Sequence, residues 1–322
     1  MLPYFNFAKK LRQINENNFD EIALEVFQFQ SEQNTVYRAY LKQLKFNKRA
    51  VQSINEVPFL PIQFFKSHIV KTGEWPSQRV FQSSGTSQQI RSAHHLNDEA
   101  FYLNHARSIF EKQIGSLTEF RIIALLPYYD TTASSLISMI KFFVAQSGDK
   151  YSGFYEGNPD KIIPLLGKTD KKTLLLGVSH ALLDFVENEH FNFPNLMVME
   201  TGGMKGRRVE LTRPDLHNKI KAGLGTQQIF SEYGMTELLS QAYAKSDGVF
   251  QCPSSMRVVT KEIADPFSIS KGNGVLNVID LANFHSCAFI ETQDLGKVTD
   301  NGFEVLGRAD NSEVRGCNLL IA

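Results

Sequence analysis

Thr173-Leu174-Leu175-Leu176-Gly177-Val178-Ser179-His180-Ala181-Leu182-Leu183-Asp184-Phe185 decides the fold class, because its apolar pattern changes character halfway along. Residues 173–178 form a short continuous apolar run, as a strand buried on both faces does. Ser179 stands where a helix carrying Ala181, Leu182 and Phe185 would need a cap. The same alternation recurs on both sides. Residues 121–126 predict another buried strand, followed by a helix over about 133–145. Residues 196–200 and 228–231 complete the set, with a helix from Pro214 between them. Strands alternating with helices predict an α/β fold with a parallel sheet covered on both faces, its ligands held where strands run out into loops.

Towards the start of the chain, residues 1–75 read as helical and amphipathic: Ile22, Val26 and Phe29 line one helix face, and Val36, Tyr40 and Leu44 line another. Residues 57–65 break helix twice with proline and predict an extended connector lined with aromatics. After about residue 251 the helical signal stops. Residues 256–260, 275–280, 287–291 and 303–306 predict strands joined by Gly, Asn and Asp turns, hence antiparallel hairpins. No internal repeat, low-complexity tract or Gly/Ser linker appears. The expectation is one domain over 1–322: a helical part to 75, an α/β part over 76–250 and a β-rich part over 251–322 with a short C-terminal tail.

The 322 residues are 42% hydrophobic and 21% charged, enough for a full core, which excludes disorder, collagen and coiled coil. With 34 basic and 34 acidic side chains there is no basic excess to supply affinity for nucleic acid. Cys252, Cys287 and Cys317 make no CxxC pair, so they read as thiols in a reducing compartment and not as a zinc or redox site. No apolar run approaches the roughly 20 residues of a membrane span. The first ten residues put their charges after their apolar residues, the reverse of a secretory signal, so a cytoplasmic location is expected.

Three segments can carry chemistry. Phe81-Gln82-Ser83-Ser84-Gly85-Thr86-Ser87-Gln88-Gln89 is a hydroxyl-rich loop around one glycine, able to donate several hydrogen bonds to phosphate oxygens, although GxxxxGK[ST] is absent. Ser231-Glu232-Tyr233-Gly234-Met235-Thr236-Glu237 follows a predicted strand. There Tyr233 can stack on a purine, Thr236 can bond a phosphate, and Glu237 can hold Mg2+, a cation that prefers carboxylate and phosphate oxygens. In the C-terminal hairpins, Glu291-Thr292-Gln293-Asp294 and Gly307-Arg308-Ala309-Asp310 supply a carboxylate for ribose hydroxyls and a guanidinium for ribose or phosphate. Each also has an ordinary reading, as a surface turn, a strand-to-helix turn and a surface ion pair.

In their order along the chain, these segments, with Thr201-Gly202-Gly203 between them, resemble the adenylate-forming superfamily of acyl- and aryl-CoA ligases. Within it the sequence most resembles the LuxE-type acyl-protein synthetases. PFLPIQFFKS at 58–67, LPYYDTTASSLISM at 126–139, LLLGVSHALLDF at 174–185 and RGCNL at 315–319 carry the closer likeness, which covers nearly the whole chain. The resemblance implies an adenylate-forming N-terminal core with mixed and parallel sheets, flanking helices and a C-terminal antiparallel β region, using ATP and Mg2+. It implies that Ser83, Ser84, Gly85, Thr86 and Ser87 handle phosphates, that Gly202 and Gly203 lie against adenine and Tyr233 stacks on it, that Thr236 binds phosphate and Glu237 the metal, and that Asp294 and Arg308 hold the ribose. It further implies a carboxylic, fatty acid substrate and an acyl-accepting protein, a fatty acid reductase or an acyl carrier protein, as partner.

Two departures stand out. Where relatives continue the phosphate loop with Gly and Lys, this chain has Gln88, Gln89 and Arg91. The lid of about one hundred residues that most members carry after the GRxD segment, with its adenylation lysine, is not expected in a chain that stops at Ala322. Arg91, Lys205 and Arg208 are the candidates to supply that charge. Cys317, in Arg315-Gly316-Cys317-Asn318, resembles the cysteine to which LuxE-type enzymes move the acyl group, and Arg315 can lower its pKa.

Other classes stay open. Gly177-Val178-Ser179-His180-Ala181 follows a strand and opens a helix as a nucleophile elbow does; with Asp265 or Asp280 and then His285, a serine acyltransferase or thioesterase is formally available. A non-catalytic nucleotide-binding subunit is the third reading. His94 and His95 are adjacent in a predicted strand, point to opposite faces and so cannot share one metal ion.

Overall fold

The computed structural model describes residues 4–83, 90–126, 133–156, 158–168, 170–187, 190–202, 211–261, 269–270 and 272–308. They fall into two compact units. The first takes the residues up to 99, 236–240 and those from 252 onward; the second takes 100–235 and 241–251.

The first unit opens with helices α1 (Tyr4–Leu11), α2 (Phe19–Gln33) and α3 (Thr35–Gln43). In α2 the expected face is the packed one, with Ile22 and Val26 buried and Phe29 stacked on Phe284 at 4.9 Å. In α3 the face is turned by one residue: Tyr37 and Leu41 are buried, while Val36, Tyr40 and Leu44 are only half-buried. The cause is polar. Asn34 caps the helix by accepting from the Tyr37 N–H, and its Nδ2 donates to the Ser286 carbonyl at 2.7 Å, which fixes the helix's rotation. Tyr37 then reaches the Pro58 carbonyl with its hydroxyl.

Residues 57–65 are more than a connector. Leu60–Pro61 (β1) joins a sheet in parallel, Leu60 against Ile290 and Pro61 against Glu291, before α4 (Phe64–Ser67). Proline is tolerated because β1 is an edge strand. The hairpin β2 (Arg79–Gln82) and β3 (Ala93–Leu96) follows.

In the second unit, α5 (Glu99–Gln113), whose first residue still belongs to the first unit, leads into β4 (Phe120–Leu125), α6 (Ser135–Ser147), β5 (Gly153–Phe154), α7 (Pro159–Leu166), β6 (Lys172–Val178), α8 (Ser179–Val186), β7 (Met197–Thr201), α9 (Arg213–Leu224), β8 (Gln228–Tyr233) and β9 (Ala242–Ala244). The sheet order is β5-β4-β6-β7-β8-β9, parallel except for β9. One face carries Ile123, Leu175, Val198 and Ile229 against Ile162, Leu182 and Ile220 of α7, α8 and α9. On the alternate residues, Phe110 of α5 meets Phe120, Phe143 of α6 and Tyr243. The expected doubly covered parallel sheet is present. Ser179 is the first residue of α8 and not its cap; Val178 holds the cap position.

The chain returns to the first unit with β10 (Met256–Lys261), β11 (Ile269–Ser270), β12 (Gly272–Asp280), β13 (Phe289–Thr299) and β14 (Gly302–Arg308). They form the expected antiparallel ladders in the order β1-β13-β12-β10-β11, with β14 also on β13. Phe289 packs edge-on to Phe27 and Phe59. Gln30 ties α2 to the same region: its amide donates to the carbonyls of Asn283 and Phe284 at 3.0 Å and accepts from the Ala288 N–H at 2.9 Å. These bonds satisfy buried backbone groups that no ladder reaches. Among the described residues, no helix is long and apolar enough to cross a membrane.

Candidate functional site

In the first unit, the hydroxyl-rich segment begins on β2 and lies between β2 and β3 in the chain. Beyond the last ladder pair, Gln82 with Ala93, the Ser83 N–H donates to the Ser92 carbonyl and the Ser92 N–H donates to Ser83 Oγ, both at 3.0 Å. Ser83 therefore closes the neck of the loop with backbone and hydroxyl together. Ser84, Gly85, Thr86 and Ser87 lie outside the described residues; Arg91 is exposed. Ser92 is buried, and its side chain hydrogen-bonds to Glu237. The sequence reading passed over Ser92, because only the hairpin register brings it opposite Ser83.

Residues 236–240 are held by several polar contacts. His94 donates from Nδ1 to the Thr236 carbonyl at 2.8 Å, which leaves Nε2 to accept from the Ser286 hydroxyl at 2.9 Å. Acceptance at Nε2 needs the neutral ring, and burial pushes the His94 pKa down to about 4 although the bond to Thr236 favours the charged form. His95 points the other way, its Nδ1 paired with the Ser77 hydroxyl, as the strand alternation requires. Asn283 donates to the Glu237 carbonyl at 2.8 Å. The Asp280 carboxylate accepts from the N–H groups of Leu239, Ser240 and Ala282 and from the Ser240 hydroxyl.

Glu237 is 5% exposed. Burial pushes its pKa up, while Ser92, Arg308 and Lys66 pull it back only in part. Among the described residues no group of three His, Cys, Asp or Glu gathers to hold a metal. A single desolvated carboxylate still fits Mg2+, which takes one or two carboxylates and completes its shell with substrate phosphates and water.

Asp294 and Arg308 are register partners on β13 and β14. The Asp294 N–H donates to Thr292 Oγ1, and Arg308 Nη2 donates to Gln293 Oε1 at 3.4 Å. The two residues expected to hold a ribose are therefore neighbours, although 14 positions separate them in sequence.

In the second unit, the carboxyl ends of β7 and β8 bring Glu200, Thr201 and Gly202 beside Ser231, Glu232 and Tyr233, with Glu200 against Ser231 and Thr201 against Glu232. Tyr233, 8% exposed, sets its ring 5.8 Å from Phe250. Arg213 of α9 lies over the other partner of that contact, its guanidinium 4.8 Å from the Phe250 ring, and ion-pairs with Glu200 at 3.0 Å. Gly202 has a φ of +68°, the left-handed turn that suits glycine. Gly203, Lys205 and Arg208 lie outside the described residues.

Ser179 does not have the surroundings of a nucleophile. It is 2% exposed, and its single hydroxyl proton is shared between the Gly202 carbonyl at 2.6 Å and Glu200 Oε2 at 3.2 Å. Asp280, offered as a triad acid, is occupied by the four donors named above; Asp265 lies outside the described residues. Of the cysteines, Cys252 and Cys287 are pushed up to about 12 by burial, so neither is a thiolate near neutral pH. Cys317 lies outside the described residues.

No known family model matches the chain, and no curated protein matches it. Solved structures do resemble it. Apo MbtA of Mycobacterium smegmatis matches at 12% identity and a TM-score of 0.50, over 71% of this chain and 45% of that one. Apo MatB from Rhodopseudomonas palustris matches at 17% identity and 0.50, over 74% and 50%. McyG A-PCP complexed with phenylalanyl-adenylate matches at 11% identity and 0.53, over 74% and 49%. The chain spans about half the length of these structures. Its fold is that of the N-terminal core of adenylate-forming enzymes.

Proposed function

We propose that the protein activates a carboxylic acid with ATP and Mg2+ as an acyl-adenylate and passes the acyl group to a protein thiol, as an acyl-protein synthetase of the LuxE type. The observation that carries this reading is the hydrogen-bonded series Ser83, Ser92, Glu237, which joins the neck of the hydroxyl-rich loop to a desolvated carboxylate 145 residues away within one unit. A phosphate-donating loop tied to a metal carboxylate is what polyphosphate chemistry requires.

A substrate carboxylate oxygen attacks the α-phosphorus, and the bond to the departing pyrophosphate breaks. Mg2+, when bound, would offset the negative charge that builds on the phosphate oxygens. Glu237 would hold the cation, Ser83 keeps the loop closed at its base, and Thr236 would donate to phosphate. The sequence resemblance gives Asp294 and Arg308 the ribose and Tyr233 and Gly202 the base. A thiolate then attacks the acyl carbonyl and AMP leaves. Cys317 is the proposed acceptor: Cys287 is buried, Cys252 is half-buried, and both thiols are protonated near neutral pH. A fatty acyl chain and onward transfer to a reductase or carrier protein complete the reading, and the sequence resemblance supports them.

The test is ATP–pyrophosphate exchange across a panel of carboxylic acids, aliphatic and aryl, beside trapping of labelled acyl-protein. Exchange with at least one acid is expected; no exchange with any acid, by protein that still binds ATP, would leave a non-catalytic binding subunit.

A further inference from the structure

Two buried carboxyl groups at the ends of β7 and β8 have no part in the reading above. Glu200 and Glu232 are 2% and 7% exposed. The parallel register pairs Glu200 with Ser231 and Thr201 with Glu232, so the two acids leave the sheet on opposite faces at the same level. Their surroundings differ in kind.

Glu200 faces α8 and α9 and meets cations and donors: Arg213 at 3.0 Å, His217 at 3.7 Å, the Ser179 hydroxyl and the Ser231 side chain. Burial pushes its pKa up, but these partners outweigh burial and leave it below the ordinary carboxylate range. Among the described residues, the groups that act on Glu232 carry no positive charge. Thr201 Oγ1 hydrogen-bonds to its Oε2, Tyr243 is its register partner on β9, and Tyr102 lies beyond Tyr243. Burial, aided by the Glu200 charge, pushes the Glu232 pKa up to about 7. Its Oε1 fills the space that a Cβ at residue 234 would need.

Both acids connect to Tyr233. Glu200 holds Arg213, Arg213 lies over Phe250, and Phe250 packs against Tyr233. Glu232 precedes Tyr233 in the chain and packs under Gly234.

We infer that Glu200 and Glu232 form an acid pair of divided protonation, Glu200 ionised and Glu232 carrying a proton, that positions the Tyr233–Gly234 turn against the nucleotide base. Loss of the Glu232 proton places a second negative charge within reach of the first and loosens that turn. Glu232 is a positioning residue: it acts through the Gly234 backbone under which it packs. The inference rests on the adenylating reading for its ligand, but the state of Glu232 can be read without it.

The first measurement is thermal unfolding of wild type and Glu232→Gln between about pH 5 and pH 8. A buried acid with a raised pKa binds more protons folded than unfolded, so its contribution to stability is full at low pH and lost as pH rises towards 7. Wild type should therefore lose about 5 °C more in Tm over this range than Glu232→Gln, whose amide cannot ionise. Equal pH slopes would overturn the inference whether or not the protein adenylates anything. The second is the KM for ATP in the exchange assay. It should rise about fivefold from pH 6 to pH 8.5 in wild type, with kcat little changed, and stay flat in Glu232→Gln at the wild-type low-pH value. A Glu232→Gln profile that follows wild type would also overturn it. Absence of exchange in both proteins, with the Tm difference present, would instead count against the adenylating reading alone.

Discussion

Asp294 stands directly opposite Arg308 across the β13–β14 ladder. A fixed acceptor beside a donor fork suits a vicinal diol, whose two hydroxyls can donate to the carboxylate while the guanidinium reaches a neighbouring oxygen. Asp294→Ala should raise the KM for ATP about tenfold and change kcat much less, since hydrogen bonds to a charged group are worth about 1.5–3 kcal/mol and the ribose is remote from the reacting phosphorus. Steady-state exchange kinetics with ATP varied would check it.

Glu237→Gln keeps an acceptor for Ser92 and removes the charge. Exchange should fall on the order of 100-fold while the unfolding midpoint stays near wild type, as expected for loss of a metal ligand in a step governed by charge stabilisation. The wild-type pH profile carries a further signature. Burial raises the Glu237 pKa, and only the ionised form binds Mg2+, so activity should decline as pH falls. Raising Mg2+ should move that acid limb to lower pH, because metal and proton compete for one carboxylate. A limb that ignores Mg2+ would point to another group.

His94 gives a stability prediction. Its pKa is about 4 folded, against 6.5 for an unperturbed ring, so the unfolded chain binds the extra proton. The sign is that of a depressed base: its contribution is present above about pH 6.5 and lost as pH falls towards 4, by up to about 3 kcal/mol. His94→Ala should cost about 2–4 kcal/mol at pH 7, because Ser286 and the Thr236 carbonyl lose a buried partner. Urea unfolding at pH 7 and pH 4.5 would show the two proteins converging on the acid side.

Cys317→Ser should retain exchange and lose the hydroxylamine-labile acyl-protein. Cys252→Ala and Cys287→Ala should keep both, since neither thiol is available to an acyl group. Mass analysis of trapped acyl-protein would distinguish them; an acyl group on Cys252 or Cys287 would overturn the assignment to Cys317.

The strands were legible in the sequence because a buried parallel strand reads as a continuous apolar run, and residues 122–126 and 174–178 are such runs. What escaped was set by partners distant in the chain. The rotation of α3 follows from Asn34 reaching Ser286, and the recruitment of Leu60 and Pro61 follows from Ile290 and Glu291. Neither partner can be found from local periodicity. In the site, Tyr233, Thr236 and Glu237 were readable as a motif with defined chemistry. Ser92 and Glu232 were not, since a serine in a strand and a glutamate before a tyrosine have no signature until register shows which faces they share.

The 258-residue bond between Gln30 and Ala288 bears on how the protein is made. Helix α2 leaves the ribosome early but cannot satisfy its buried amide until residues 283–288 have been synthesised. The second unit, continuous in sequence from residue 100 to 235, can assemble its parallel sheet during that interval. The first unit must wait with apolar helix faces uncovered, so stalled or truncated translation products should be the species that chaperones retain and proteases remove.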